Sequence, residues 1–399
     1  MKEWLKEKQG LLSKIAYYCF YTAVIIEGMM VIIDKSAYTN PIEGRLFQLT
    51  FLLCLFKVCL TKYSKREYVT IFLFCVLGAV SYFVTERNEI IRLVMFVAAC
   101  KGIDMKKCMT LVFRLTLIGC LVIILLSVTG IYGAVSLTQD FGRGSVETRY
   151  TLGMGHPNAL QCMVWALTIL GLYLYSENMK WYYFLLITVI NGALFLLTDS
   201  KTSLLVAVFS IALYAFIRIF KGKWAGTLIF IGGILVTVGC IVLSVLSAKN
   251  AYLIYRFRWE WYWTPQVERY LQLDKLLTGR INSLVGTENF EGTLQTWSLF
   301  SRPENVYYFD MGWVRLFYWY GIIPACIFIA VLLLLMIYCW RKGENAAMIM
   351  IISFFLYTLI EAHGISEYLA RNYVFFLLGA YWSPMLACIK KKKDRESKE

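Results

Sequence analysis

About twelve apolar runs, most of them near the ~20 residues a helix needs to cross a bilayer, follow one another along this chain and leave little choice of fold. They cover 14–33, 46–61, 68–85, 88–100, 109–131, 158–175, 181–198, 202–219, 224–248, 313–339, 345–362 and 367–389. With 59% hydrophobic residues, 17% charged ones and a mean hydropathy of +0.61 over 399 residues, lipid has to be treated as the solvent. The expectation is an all-α polytopic integral membrane protein, a single transmembrane domain over 1–399 with no separate soluble domain. The start, MKEWLKEKQG, is basic and meets the first apolar run without a small-residue cleavage site, so it reads as an uncleaved first span.

The net charge of +14 does not point to nucleic acid, because the Lys and Arg residues are scattered between apolar runs and in the tail Lys390–Lys393. They serve as orientation signals instead. Alternate connections carry Lys62, Lys65 and Arg66, then Lys101, Lys106 and Lys107, then Arg218, Lys221 and Lys223, which makes that set cytoplasmic and places both termini there. The opposite connections contain both histidines, His156 and His363, and face outward. Twelve cysteines offer neither a disulfide framework nor a CxxC or His/Cys zinc pattern, so no metal and no cofactor are expected.

One outer connection, 249–312 between the ninth and tenth spans, is too polar for any membrane helix. A large loop on a rigid scaffold is where chemistry tends to sit. Within it Thr264 and Pro265 form a helix start, and Val267, Tyr270, Leu271, Asp274 and Leu277 continue to a glycine stop at Gly279. That pattern predicts an interfacial helix lying on the outer surface. Charges in the loop are balanced. Its aromatic run from Tyr252 to Trp263 reads either as an interfacial belt or as stacking platforms for sugar rings and a polyprenyl tail.

Several residues on this side carry chemistry in principle. Arg143 and Arg149 precede a glycine-rich strip ending in His156, Pro157 and Asn158, where a helix N-terminus offers free N–H groups or merely a cap. Lys201 opens a span after a tight turn. With Arg143, Arg149, Arg280 and Arg315 it puts several cations on one face, which suits a diphosphate. Asp310 is either an N-cap or a general base for an attacking hydroxyl. Glu27, Arg92, Arg315 and Glu361 are charges inside spans toward the outer ends, either lining a polar cavity or, for Glu27 with Arg92, forming an ion pair. Glu361 and His363 read equally as site residues or as helix caps.

The ordered set Arg149…Gly155-His156-Pro157-Asn158, Thr198…Ser200-Lys201-Thr202, Leu276-Leu277-Thr278-Gly279-Arg280-Ile281 and Asp310…Gly321-Ile322 resembles the bacterial Wzy-type polysaccharide polymerases, relatives of the O-antigen ligases. The resemblance implies a metal-independent glycosyltransferase in the bacterial cytoplasmic membrane. It would move a growing glycan from undecaprenyl diphosphate onto a hydroxyl of a new lipid-linked repeat unit, making capsule, exopolysaccharide or O-antigen. Donor and acceptor would both be undecaprenyl-diphosphate-linked oligosaccharides, and a flippase and a chain-length regulator would be partners. Asp310, Arg280 and Arg149 would be catalytic, and Arg143, His156, Asn158, Lys201, Arg315, Glu361 and His363 would bind diphosphate or sugar. Two departures stand out: Lys201 replaces a common arginine, and Asp310 stands where ligases carry a histidine, which favours polymerase over ligase. The rival readings are a glycan ligase of the same superfamily and a lipid-linked oligosaccharide flippase, although no internal repeat of the transporter kind is visible.

Overall fold

The computed structural model describes residues 2–141, 145–257, 264–286 and 290–396, with side chains placed over 10–388 apart from the same gaps. Helices dominate. They are α1 (Lys2–Lys35), α2 (Glu43–Cys59), α3 (Lys65–Thr85), α4 (Glu89–Ala99), α5 (Met105–Val128), α6 (Pro157–Tyr175), α7 (Trp181–Thr198), α8 (Lys201–Ile219) and α9 (Lys223–Phe257). After these come α10 (Pro265–Leu276), α11 (Gly312–Tyr320), α12 (Ile322–Lys342), α13 (Asn345–Ile360) and α14 (Tyr373–Glu396). A hairpin, β1 (Ser136–Asp140) with β2 (Val146–Tyr150), interrupts them in antiparallel register, Leu137 opposite Arg149.

Each of the twelve expected apolar segments is helical, and eight of them (α1, α3, α5–α9 and α12) are long and apolar enough to cross a membrane. The 11-residue α4 rises about 16 Å, roughly half of a ~30 Å hydrocarbon core, so the fourth expected span does not cross by its own length. The expected span 313–339 is corrected to two helices. Gly321, at φ +92°, breaks it, and a Cβ there would meet the Phe300 Cα at 2.6 Å. The loop closes that break: Ile322 and Ile323 donate their backbone N–H groups to the carbonyls of Ser298 and Leu299 at 2.9 and 3.0 Å. These would otherwise be orphan donors at a helix start. The loop also begins later than 249, because α9 continues for 35 residues, about 52 Å, to Phe257.

Local signals act where the sequence places them. Ser64 and Glu67 close a capping box on α3, and Asp104 caps α5 through the Lys107 N–H at 3.1 Å. Thr264 caps α10, whose buried positions Val267 and Asp274 are sealed by protein, while Tyr270 accepts a hydrogen bond from Asn250 of α9 at 2.8 Å.

The centre of the bundle is α13. Ala347 through Phe355 are buried without a break, as a helix apolar all round must be. Its polar atoms are satisfied by α6 and α8: Trp165 stacks on Tyr357 at 3.9 Å and donates to Ser353, and Ser210 donates to the same hydroxyl at 2.8 Å. This rigid seam ends at Ile360, so α13 delivers the next residue, Glu361, to one end of the bundle. The Glu27 carboxylate is likewise fixed, accepting from Arg92 at 3.1 Å, Thr50 at 2.7 Å and the Leu369 N–H at 3.2 Å. Both partners are buried, so the sequence-level ion pair exists and ties α1, α2 and α4 to the connection before α14.

Candidate functional site

Four turns converge at this end. Gly155 donates its N–H to the Lys35 carbonyl at 3.0 Å, which brings the end of α1 to the start of α6 and sets Lys35 beside His156. The Asp274 carboxylate accepts from the N–H groups of Ile281 and Asn282 at 2.8 and 3.0 Å, folding the turn after α10. Thr278 and Gly279 take left-handed φ of 55° and 78° there, and Arg280 emerges from that turn.

Arg280 is buried and donates to Glu361 at 2.6 Å, to Thr278 at 2.5 Å and to the Leu277 carbonyl at 3.1 Å. Its Nε has no hydrogen-bond partner and lies 3.8 Å from Asp310. Asp310 does not cap the next helix: Met311 occupies the cap position, and the carboxylate stays partly open to solvent. Glu361 follows the end of α13. Burial and the nearby Asp310 charge push its carboxyl up to about 7, against the pull of Arg280. Two carboxylates with one guanidinium between them make a group in which a proton can be held near neutral pH.

Beside this cluster lies a polar cavity of about 520 Å³. Lys35, His156, Arg315 and Arg371 line it, with Asp34, Glu43 and Glu367 as counter-charges. Arg371 is bridged to Asp34 and covers the Tyr368 ring at 4.5 Å; Tyr368 donates to Glu43. Arg315 differs. It is buried between the rings of Trp319 at 3.5 Å and Tyr308 at 4.1 Å, its Nε is unsatisfied, and among the described residues it forms no salt bridge. A buried cation held by aromatic faces without an anion is an expensive arrangement unless a ligand supplies the charge.

His156 caps α6, its Nδ1 accepting from the Asn158 N–H at 3.1 Å. The expected anion corner is thus partly filled by the ring itself, which corrects the picture of free N–H groups. Burial, then the Arg149 and Lys35 charges, hold the ring neutral against Asp310, leaving Nε2 as the donor. Arg149 is buried and already engaged: Glu147 takes two of its N–H groups at 3.1 and 2.6 Å, Asp199 lies 3.8 Å away and Phe141 covers it at 4.3 Å. Lys201 is exposed at the first position of α8, and Arg143 lies outside the described residues. His363 is buried among Trp165, Phe354 and Tyr357, with Cys162 Sγ 3.1 Å from its Nδ1. Burial first, then Arg371 and Lys35, keep it well below the ordinary histidine range, so it is a neutral interior ring.

The structure therefore brings together Arg280, Asp310, Glu361, His156 and Arg315, and joins to them charged residues the sequence reading passed over, among them Lys35, Asp34, Glu43 and Arg371. Lys35 and Asp34 look like the basic end of a first span and its loop. Arg371 lies inside the run 367–389, where an interior charge was itself the signal.

Fold and site together define a helical, multi-pass membrane protein with a cation-lined polar cavity at one end of its bundle. No family model, curated protein or solved structure matches the chain.

Proposed function

We propose that this protein is a membrane glycosyltransferase that polymerises diphosphate-lipid-linked oligosaccharide repeat units on the outer face of a bacterial cytoplasmic membrane, in the manner of the Wzy-type polymerases it resembles. The observation that carries this reading is Arg315: a buried guanidinium with no salt bridge among the described residues, facing a cavity already shared by Lys35 and Arg371. A diphosphate is the ligand that such a group of cations recognises. It is also a good leaving group once its charge is neutralised, so fixed cations do most of the electrostatic work of breaking the glycosyl–phosphate bond.

The acceptor hydroxyl then has to lose a proton. Asp310, partly open and next to the cavity, is the base; Glu361 keeps Arg280 in place and is the nearest second acceptor. The glycan moves from the diphosphate to the acceptor oxygen, the proton goes to the carboxylate, and lipid diphosphate leaves. The Lys and Arg clusters in alternate connections favour an outward position for this end, where no nucleotide sugar is present and none is needed.

The test is a strain lacking the gene. It should lose polymer and keep single lipid-linked repeat units, and Arg280→Ala at normal protein level should reproduce that state. Long chains still assembled on lipid would favour a ligase, and repeat units held at the cytoplasmic face would favour a flippase.

A further inference from the structure

One guanidinium stands between two carboxylates and serves them unequally. Arg280 gives its Nη2 to Glu361 at 2.6 Å, whereas its Nε lies 3.8 Å from Asp310, beyond hydrogen-bond reach, and has no partner. The third nitrogen, Nη1, is held by the turn that carries the side chain, through Thr278 and the Leu277 carbonyl. That turn is itself fixed, because the Asp274 carboxylate folds it and Ile281, Leu284 and Val285 after it are buried. The guanidinium can therefore pivot about Nη1, and a rocking movement of roughly 1 Å closes the gap to Asp310 while the loop stays in place.

The surroundings of Glu361 decide which carboxylate holds the cation. Arg280, Asp310 and Tyr308 face it from the loop, Lys35 from α1, Cys162 from α6 and Tyr357 from its own helix, α13. Arg371, before α14, faces Tyr308 and Cys162, and His156 faces Asp310. Burial first, then the Asp310 charge, raise the Glu361 carboxyl to about 7. Once protonated, Glu361 loses its charge-assisted bond to Arg280, and a buried guanidinium then needs another anion. Among the described residues, Asp310 is the other carboxylate within 4 Å of it.

We propose that Glu361 is a positioning residue that governs the base by exchange of Arg280: ionised, it keeps the guanidinium off Asp310, and protonated, it releases the guanidinium to pair with Asp310. The inference rests on the function proposed above, in which Asp310 takes the proton of the acceptor hydroxyl. A carboxylate paired with a guanidinium is a weaker base, so acidification silences Asp310 without protonating it. The sign follows from Glu361, which becomes charged as pH rises through about 7. Transfer therefore switches on there, well above the range near about 4 in which an ordinary carboxylate base ionises. Asp310, partly open to solvent, returns its proton to water after each transfer.

The experiment gives the full-length protein in liposomes lipid-linked repeat units and measures kcat and KM from about pH 5.5 to 8.5. Wild-type kcat/KM should fall about tenfold per pH unit below about 7. Glu361→Gln keeps the shape and an oxygen for Arg280 but carries no charge. At about pH 8 its kcat should be lower by about tenfold or more, with KM within about twofold and no limb near 7. Infrared spectra read the exchange without turnover. As pH rises through about 7, the wild type should lose one protonated carboxyl band, absent from Glu361→Gln, and shift one carboxylate band, absent from Asp310→Asn. An unchanged limb in Glu361→Gln, a change in KM in place of kcat, or an Asp310 band that does not move would overturn the exchange. If both bands respond as stated but no repeat units are joined at any pH, the polymerase reading fails and the exchange stands.

Discussion

Replacing Arg315 by methionine separates function from stability, because the two should move in opposite directions. The guanidinium is buried, touches ring faces at 3.5 and 4.1 Å and has no salt-bridge partner among the described residues. Each ring contact returns about 0.5–2 kcal/mol, whereas burying an ion costs several kcal/mol. A methionine of similar reach keeps the contact with Trp319 and removes the charge, so the unliganded protein should be unchanged or more stable by about 1–4 kcal/mol. The bound state behaves the other way. Losing one guanidinium from a desolvated phosphate contact costs about 2–5 kcal/mol, roughly thirtyfold or more in affinity. Thermal unfolding in detergent, with and without inorganic diphosphate, reads both effects. Arg315→Met should start at an equal or higher Tm than the wild type and gain little from diphosphate, while the wild type should rise with ligand concentration. A variant with a lower Tm and an intact response to diphosphate would refute the reasoning and make Arg315 a structural residue.

Asp34→Asn removes the carboxylate that neutralises Arg371 and leaves Lys35 nearby, so calorimetry should show diphosphate binding tightened by about fivefold or more. Glu361 has its carboxyl raised from 4.5 to about 7, so the folded state holds a proton there that the unfolded state releases. Its contribution to stability is full below about pH 4.5 and is lost as pH rises through 7; Glu361→Gln should flatten that part of the Tm–pH profile. Glu27→Ala leaves Arg92 buried without its partner and should cost about 3–5 kcal/mol in a denaturation assay, while Glu27→Met with Arg92→Met should recover most of it.

Much of the helical plan is legible in the chain because apolar length and capping chemistry are local. Thr264 and His156 cap where the sequence puts them, for that reason. The break at Gly321 is not legible, since it depends on Phe300 and Leu299 arriving from the loop to occupy the space a Cβ would need. Nor is the extension of α9 to Phe257, where polar residues continue a helix that Ile281–Val285 cover. At the site, Arg280, Asp310 and Glu361 stand out as charges near span ends. Arg149 and His363 stand out equally, yet the first is engaged by Glu147 and the second sits in the interior. Sequence gives the inventory of charges; only packing distinguishes those with carboxylate partners, such as Arg149, from Arg315, which is held by ring faces and forms no salt bridge among the described residues.

The central claim is chain elongation by transfer between two lipid diphosphates. It is tested most directly by supplying the purified protein in liposomes with lipid-linked repeat units alone. Elongation predicts a ladder of lipid-linked oligomers at whole-number multiples of the unit, with one polyisoprenyl diphosphate released per added unit and neither product formed by Arg280→Ala. Repeat units that cross the bilayer but keep their original length, with no diphosphate lipid released, would contradict it.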